Sequence, residues 1–557
     1  MSNHKQTKDN FIAQAGILAA AGFISRIIGL LYRGPLNSVL GEAGTSCYTE
    51  AHNFYNIALL LSSYSIPAAI SKVIAQKLAM KEYRNAHRFY YCAMGYVLVV
   101  GSIASSIMFF LPNLFVTENA VPVLRVFAPT ILASGVLGVM RGYFQAHKST
   151  IQTSVSQIFE QIANACISVG MAYFLIVNVF GEVQIPDETW SEALSSRYIT
   201  LGAMGSAIGT GAGVLMALLV MLFFCLINRG IIFRRIRRDQ HEKVDSYPEM
   251  ILMITHVISP FILSTAIYNL NDSILTYVYK KWIPAIRELD SFVQEVNWGI
   301  FSGLAMTVYR IPITVATAMA AAVIPTITLS VVKGEYEEAK EKIASATKTT
   351  MLISIPAAVG LFALAEPVIG FVFPRRTDEV YKKAAVLLMI LVGSTIFYAL
   401  STLSNSVLQA LGRMKVPVVN AAIALVIQVG ISVAMLLWTN FDCFGLAIGY
   451  VIYSIVMFGL NQRVLYKTIG YRIDLKGCFF GPFVSAAVMG VFAKAVYELF
   501  YLLIEDKRVA LIPAIVMAVF VYFVVLMMMH AVTEEELRSF PKGQLIVKLA
   551  KKAKLLR

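Results

Sequence analysis

The sequence predicts an all-α polytopic membrane protein with about fourteen transmembrane helices. Its 557 residues are 58% hydrophobic and only 14% charged, with a mean hydropathy of +0.69, whereas a soluble domain carries roughly 25% charged residues. The apolar residues form runs of about 20, the length that crosses a hydrocarbon core of about 30 Å. Because no water is present there to satisfy backbone polar groups, each run is predicted to be a helix.

In chain order, the predicted spans are 11–31, 49–71, 89–111, 124–143, 154–178, 199–226, 250–279, 296–330 (one long span interrupted by proline), 350–365, 384–408, 416–437, 443–466, 477–501 and 509–531. Lys and Arg residues concentrate on alternate loops when both termini are placed in the cytoplasm, as the positive-inside rule requires. An odd number of spans would put the basic C-terminal tail outside. The charges therefore favour an even number and cytoplasmic termini.

Five segments follow from this pattern. They are a six-helix lobe (1–228), a basic cytoplasmic linker (229–249), a second six-helix lobe (250–468), two extra transmembrane helices (469–532) and a basic cytoplasmic tail (533–557). Within the tail, residues 543–557 have the pattern of a basic amphipathic helix that suits an anionic leaflet. A solvated tail explains the same residues equally well.

The two lobes resemble each other through four pairs of short motifs that occur in the same order. The pairs are Ile66-Pro67 with Ile324-Pro325, Glu82-Tyr83-x-x-Ala86 with Glu335-Tyr336-x-x-Ala339, Pro112 with Pro367, and Gln145-Ala146 with Gln409-Ala410. This order predicts a duplicated six-helix unit whose copies have the same orientation, with Pro67 and Pro325 on equivalent helices. Two such lobes facing a central cavity are a transporter architecture.

Several function classes are excluded by the sequence. The net charge of +14 lies at span ends rather than in a basic patch, which argues against nucleic acid as a partner. There is no Gly-Lys dipeptide, hence no Walker A loop, and no His-Glu-x-x-His motif. The six cysteines are scattered without a Cys-x-x-Cys pair, so they predict neither a disulfide framework nor a metal site. We expect a protein that is not an enzyme and needs no cofactor.

A glycine series, Gly205, Gly209 and Gly213, occurs at helical spacing in the sixth span. A phosphate-binding loop also uses glycines, but not at intervals of four within an apolar helix. Small residues at this spacing allow close approach of two helices in a membrane. The series is therefore interpreted as a helix-packing surface.

Arginines within spans are candidates for substrate binding. Arg26 lies deep in the first span, Arg33 lies two turns further along, and Arg310 precedes Pro312 in the interrupted eighth region. A charge in hydrocarbon is costly and usually faces a cavity or a partner, and the arginine fork suits a diphosphate. The alternatives are an interfacial anchor for Arg33 and structural ion pairs for Arg26 and Arg310.

Carboxylates within spans form a second set. Glu50 opens the second span, Glu160 lies in the fifth, and Asp272 lies in the seventh. Each is either an ion site or the structural partner of an arginine. Arg125, Arg141 and Lys494 lie near span ends, where long side chains snorkel to the interface, and they carry little functional weight.

These motifs resemble a known family. The chain contains Ser25-Arg26-x-x-Gly29-x-x-Tyr32-Arg33, Gly41-x-x-Gly44-x-x-x-Tyr48, Ile66-Pro67-x-Ala69-Ile70-Ser71-Lys72 and Ser156-Gln157-x-x-Glu160-Gln161. Together they resemble the stage V sporulation protein B branch of the polysaccharide-biosynthesis transporters. This branch belongs to the multidrug/oligosaccharidyl-lipid/polysaccharide exporter superfamily, beside the MurJ-type lipid II flippases.

The resemblance implies two six-helix lobes with two extra helices, in the bacterial plasma membrane, that flip undecaprenyl-diphosphate-linked sugars by alternating access. It also implies functional roles for Arg26 and Arg33, which match important arginines of the MurJ-type relatives, whereas Arg310 does not align cleanly. The chain departs from the branch at Ser46, where glycine is usual, and at Glu50, where an apolar residue is common. The added acid is expected either to alter substrate preference or to pair with Arg33.

The leading expectation is a flippase whose partners are a lipid-linked oligosaccharide and the lipid bilayer. A cation-coupled multidrug exporter, with its ion site at Glu160 or Asp272, is the alternative from the same superfamily. A non-transporting membrane assembly protein is the alternative from another class. Whether H+ or Na+ is coupled to transport is left open by the sequence.

Overall fold

The computed structural model describes residues 21–22, 24–60, 66–147, 149–187, 189–237, 239, 245–287, 290–374, 376–474, 476–529, 531–532 and 534, without the side chains of 68–69, 231–233, 235–236, 256–269, 318, 321–326 and 332. The regular elements among these residues are helices. The chain divides into two compact units, Met1–Gly299 and Ile300–Arg557. The predicted amphipathic helix at 543–557 lies outside the described residues.

In the first unit, residues 24–31 are helical and are followed by eight longer helices. These are α1 (Arg33–Leu59), α2 (Ile66–Ala79), α3 (Tyr83–Phe110), α4 (Val121–Ala146), α5 (Ile151–Phe180), α6 (Glu192–Arg237), α7 (Tyr247–Tyr277) and α8 (Ser291–Trp298). A π-helical turn, Val278–Trp282, extends α7. The apolar core of this unit forms mainly between α1, α4 and α6, around Tyr55 and Phe127.

The second unit contains nine helices among its described residues. They are α9 (Met306–Val332), α10 (Tyr336–Ala363), α11 (Ala365–Val372), α12 (Asp378–Val392), α13 (Thr395–Ala410), α14 (Lys415–Trp438), α15 (Cys443–Ile469), α16 (Gly481–Ile504) and α17 (Lys507–Met528). A π-helical segment, Gly299–Ala305, leads into α9. The last two helices pack on α10 through a shared apolar core.

The predicted fold class is confirmed. Ten described helices are long and apolar enough to cross a membrane, or eleven if the bent pair α12 and α13 counts as one span. These eleven coincide with predicted spans. The remaining predicted spans, 11–31, 49–71 and 250–279, each include residues or side chains outside the described set.

Two predicted boundaries were wrong. Residues 33–48 were predicted to be a loop, but α1 begins at Arg33 and runs through them, with a kink at Gly41 (φ 70°, ψ −179°). A Cβ at residue 41 would lie 2.7 Å from Ile185 Cγ2, so glycine serves there for positive φ and close packing. The sixth helix continues to Arg237, into the predicted linker, since arginine is a good helix former.

The two compact units do not share a boundary with the predicted lobes. Helix α7, predicted to open the second lobe, packs within the first unit, where Asn53 Nδ2 donates to Thr276 Oγ1 (2.9 Å) and Ser273 Oγ donates to Asn53 O (3.1 Å). Contacts define the units, whereas the lobes are defined by the sequence repeat. The lobe boundaries therefore stay a prediction, as does the equivalence of Pro67 and Pro325.

Local geometry repeats in the two units at the motifs that suggested the duplication. Helices α3 and α10 are both 28 residues long, and each begins at the tyrosine of a Glu-Tyr motif. The preceding residues Lys81 and Gly334 both take positive φ, at 63° and 78°. The backbone N–H of Glu82 and that of Glu335 each close the turn with a 2.9 Å hydrogen bond. Equal local geometry supports the proposed duplication.

A second repeated feature was not seen in the sequence. On α5, Ser168 packs at Gly209 of α6, where an added Cβ would lie 2.2 Å from the serine Oγ. On α14, Ser432 packs at Gly449 of α15, where the same distance would be 2.3 Å. Both serines stand four residues after an amide side chain, Asn164 or Gln428. The helix-packing interpretation of the glycine series is thus confirmed at Gly209.

Replacement of Gly209 by alanine is expected to destabilise the protein by about 1–3 kcal/mol, the usual range for overpacking. The added Cβ would lie 2.2 Å from Ser168 N as well, and backbone cannot move aside as a side chain does. Titration of the purified protein with a denaturing detergent measures the change. Gly170→Ala is the control, because nothing lies within 4 Å of its Cβ. Equal effects of the two variants would contradict the close-packing role.

Candidate functional site

A buried ion cluster in the first unit joins Lys280 to Glu50 and Glu295. The Lys280 Nζ lies 2.5 Å from Glu295 Oε1 and 3.5 Å from Glu50 Oε2, and it donates to Ser46 Oγ at 3.0 Å. Ser46 Oγ donates to Glu295 Oε2 at 2.5 Å. Glu50 also accepts from Thr117, from the N–H at 2.7 Å and from Oγ1 at 2.8 Å. We call these five residues the Lys280 cluster.

All three charged side chains of the cluster are enclosed. Glu50 is 1% exposed, Lys280 4% and Glu295 6%. At this depth each ion depends on its partners, because removal of one leaves another charge buried without compensation. The cluster is therefore a set of mutually dependent ions rather than a surface salt bridge.

Local sequence accounts for the placement of Ser46, Glu50 and Glu295. Ser46 and Glu50 are four residues apart in α1, so they share one face of the helix. Asp290 caps the N-terminus of α8 by accepting from Phe292 N (2.8 Å) and Val293 N (3.0 Å), which starts the helix that carries Glu295.

The α7–α8 hairpin is closed beside the cluster by aromatic and amide contacts. Trp298 stacks on Tyr279, with ring centroids 5.2 Å apart, and Gln294 Nε2 donates to Tyr279 O at 2.5 Å. These contacts hold α8 against the π-helical turn that carries Lys280. They hold Lys280 and Glu295 next to each other.

Pairing with Arg33 was one of two roles considered for Glu50, and the structure gives Glu50 an ion pair with Lys280 instead. The sequence reasoning missed Lys280 and Glu295, which lie just beyond the predicted ends of the seventh and eighth spans. A buried acid such as Glu50 does call for a cation, but several basic residues near span ends were equally eligible. The two departures from the family pattern, Ser46 and Glu50, bind the same lysine.

A second ion pair involves Glu160. Arg141 Nη2 lies 2.7 Å from Glu160 Oε2, and Arg141 Nε donates to Ser156 Oγ at 3.0 Å. Arg141, which was expected to carry little functional weight near a span end, is only 14% exposed and is the structural partner of Glu160. Of the two roles considered for Glu160, the structure shows the partner of an arginine.

A chain of polar side chains ties the segment of Arg26 and Arg33 to α5 and α6. Asn164 Nδ2 donates to Tyr32 OH at 3.4 Å, and Thr210 Oγ1 donates to Asn164 Oδ1 at 3.3 Å. Arg33 is half-buried and Arg26 is exposed. No hydrogen bond or ion pair joins Arg26 to another residue in the described part of the chain.

The remaining predicted site residues, Asp272 and Arg310, belong to different units. Asp272 is half-buried on α7 in the first unit, and Arg310 is exposed on α9 in the second. Both make polar or electrostatic contacts within the molecule. Among the described residues, no group of His, Cys, Asp or Glu side chains has an arrangement suited to a metal ion.

Comparison with protein families identifies the class of transporter to which the chain belongs. The family model described as "Lipid II flippase MurJ" matches residues 83–539. The chain belongs to the MurJ lipid II flippase family. The family membership confirms the resemblance found in the motifs, and it makes the chain a multi-pass membrane transporter of the flippase type.

Two relatives from Bacillus subtilis are similar to this chain over nearly its full length, which supports the family membership. Lipid II flippase MurJ of Bacillus subtilis (strain 168) is 24% identical over 528 residues, which cover 90% of this chain and 91% of the relative. Stage V sporulation protein B of the same organism is 22% identical over 549 residues, covering 97% of this chain and all (100%) of the relative.

Solved structures agree in fold. A lipid II flippase MurJ in an inward closed conformation has a TM-score of 0.63 at 14% identity and covers 91% of this chain and 97% of its own. An inward-facing multidrug resistance MATE family transporter of the MOP superfamily has a TM-score of 0.60 at 16% identity, covering 80% and 96%. The predicted superfamily fold is confirmed by these likenesses.

Proposed function

We propose that this MurJ family member flips an undecaprenyl-diphosphate-linked cell-wall or polysaccharide precursor, such as lipid II, across the bacterial plasma membrane by alternating access. The family match over residues 83–539 carries the proposal. The relatives that cover nearly the whole chain include a lipid II flippase and a sporulation protein. A lipid-linked diphosphate sugar is the substrate class that fits the first of these names.

The residues proposed to bind the diphosphate are Arg26 and Arg310, with Arg33 beside Arg26. Two of these guanidinium groups are exposed and the third is half-buried. A planar guanidinium donates two parallel hydrogen bonds to phosphate oxygens and keeps its charge at any physiological pH. Accessible arginines on apolar helices therefore suit a diphosphate, while the polyprenyl chain remains in the lipid.

The cation-coupled multidrug exporter is the less favoured alternative, although the fold is shared with MATE transporters. A cationic drug or coupling ion needs a carboxylate that is available. Glu160 is bonded to Arg141 at 2.7 Å, and Glu50 is bonded to Lys280 at 3.5 Å. A fixed positive charge beside each acid opposes the entry of another cation. Asp272, the third predicted carboxylate, is half-buried and also makes contacts within the molecule.

The proposal is tested by depletion of the protein in its own cells. Lipid-linked precursors should accumulate on the inner leaflet, and purified protein in liposomes should restore their exposure on the opposite face. Export of cationic dyes with no change in the precursors would favour the multidrug exporter. Loss of cell-wall assembly with undiminished precursor exposure would favour a non-transporting assembly protein.

The proposed topology places both termini and the loop after α6 in the cytoplasm, and the segment between α5 and α6 outside. Single cysteines at Gln184 and at Arg237, the exposed last residue of α6, in a cysteine-free background because Cys166 is exposed, test it. An impermeant thiol reagent added to intact cells should label residue 184 and not residue 237. Both should react after permeabilisation. Labelling of residue 237 in intact cells would contradict the topology.

A further inference from the structure

We propose that the Lys280 cluster is a proton-binding site that holds one exchangeable proton between Glu50 and Glu295. The site is separate from the arginines proposed to bind a diphosphate. It rests on the geometry of the first unit alone and does not depend on which substrate is transported. The ligand is a proton because the space between the two acids is already filled by the lysine ammonium.

Charge counting is the first step. The cluster contains one lysine and two carboxyl groups, all nine-tenths or more buried. Among the described residues, Cys47 is a further titratable group that faces them, and its thiol donates to Asn119 O at 3.3 Å. With both acids ionised the cluster would carry a net charge of −1. A buried charge without compensation is strongly unfavourable, and a group in that position takes up a proton instead.

The contacts of Lys280 show that the lysine is the charged partner. Its Nζ lies 2.5 Å from Glu295 Oε1 and 3.5 Å from Glu50 Oε2, and it donates to Ser46 Oγ at 3.0 Å. Two carboxyl groups this close to one amine favour its charged form. The lysine therefore balances one of the two acids, and the second acid is left for the proton.

The two acids share one lysine. Glu295 Oε1 lies 2.5 Å from Lys280 Nζ, and Glu295 Oε2 accepts from Ser46 Oγ at 2.5 Å. Glu50 lies 3.5 Å from the same Nζ and accepts two hydrogen bonds from Thr117. The proton is therefore assigned to the pair of acids as a unit and not to one of them.

The proton has a structural consequence because the cluster connects three segments. Ser46 and Glu50 lie on α1, Thr117 lies before α4, and Lys280 and Glu295 lie on the α7–α8 hairpin. Loss of the proton leaves excess negative charge among them and weakens this packing. Protonation thus favours the arrangement in which α1 and the hairpin are joined.

The Arg141–Glu160 pair provides an internal comparison. It also joins two helices, α4 and α5, but it contains one base and one acid at 2.7 Å. Its charges balance without a proton. A protonated carboxyl group is therefore expected in the Lys280 cluster and not in this pair.

Infrared spectroscopy of the purified protein tests the site directly. A protonated carboxyl group absorbs apart from a carboxylate, and its band moves in D2O. The difference spectrum between wild type and Glu295→Gln at neutral pH should show one such band, present in wild type and missing in the variant. Glu50→Gln should also lose it, because either variant leaves one lysine with one acid. Glu160→Gln should retain the band.

Lys280→Met should change the band of the protonated carboxyl group in the opposite direction, because two buried acids without a base need two protons. The intensity of the band should rise about twofold. A melting curve of each variant shows whether it is folded, and Glu50→Gln replaces Glu295→Gln if the latter does not fold. A band that persists in both glutamine variants, or a wild type without one, would overturn the proposal. Neither outcome bears on the proposed flippase function.

Discussion

Replacement of Arg26 by lysine should reduce transport by about tenfold to a hundredfold, although the positive charge is kept. The guanidinium of Arg26 is exposed and has no hydrogen bond to the described residues, so it is available to a ligand. A lysine ammonium is a point charge and cannot reproduce the paired donors of the arginine fork. Loss of one charge-assisted hydrogen bond is worth about 1.5–3 kcal/mol. Exposure of lipid-linked precursors in proteoliposomes measures the effect.

Arg26→Ala should reduce transport further while expression and thermal stability stay near those of wild type. Arg125→Ala is the matched control, because Arg125 is also an exposed arginine of the first unit and its bond within the described residues is to a backbone carbonyl, Phe109 O at 3.3 Å. It should transport normally. A folded Arg26→Ala variant with full activity would rule out the diphosphate role. A misfolded one would indicate that Arg26 is structural.

Replacement of Lys280 by methionine should destabilise the protein by about 3–5 kcal/mol, the range for breaking a buried ion pair from one side. Methionine has a similar length but leaves Glu50 and Glu295 enclosed without a cation. Of all single substitutions considered for stability, this one has the largest expected effect. Titration of the purified protein with a denaturing detergent measures it.

A rescue variant and a control variant separate the electrostatic effect of Lys280→Met on stability from its effect on packing. The triple variant Lys280→Met, Glu50→Gln, Glu295→Gln removes the base and both acids together and should recover most of the lost stability, since neutral replacement of a whole buried ion cluster is often harmless. Lys494→Met is the control. Its partner Glu498 lies at 2.8 Å, and both side chains are 51% exposed, so a change of about 0–1 kcal/mol is expected. A triple variant as unstable as Lys280→Met would show that packing alone is responsible.

Two departures from the family pattern acquire a common explanation in this structure. Ser46 and Glu50 lie one turn apart on α1 and both bind Lys280. Glu50 depends on the lysine, because a buried carboxylate without a base is strongly unfavourable. Both departures therefore contribute to one buried ion cluster.

The membrane class, most spans and the family were predictable from the sequence. Hydrocarbon thickness imposes a local rule, since about 20 consecutive apolar residues are needed for each span. The family motifs are likewise local, as in the stretch from Ser25 to Arg33. The boundaries of α1 were missed because residues 33–48 do not form an apolar run of span length, although they are helical in the structure.

Only the tertiary structure decided which charges are partners. Glu50, Thr117, Lys280 and Glu295 are far apart in the chain, and a lysine near a span end has the same sequence pattern whether it is solvated or enclosed. Arg141 shows the same limit, since a residue expected to carry little functional weight near a span end is bonded to Glu160 at 2.7 Å. Hydrophobic length is a property of consecutive residues, whereas charge compensation depends on which helices meet. The sequence therefore determined that this protein crosses the membrane, and the packing of its helices determined where its buried charges are balanced.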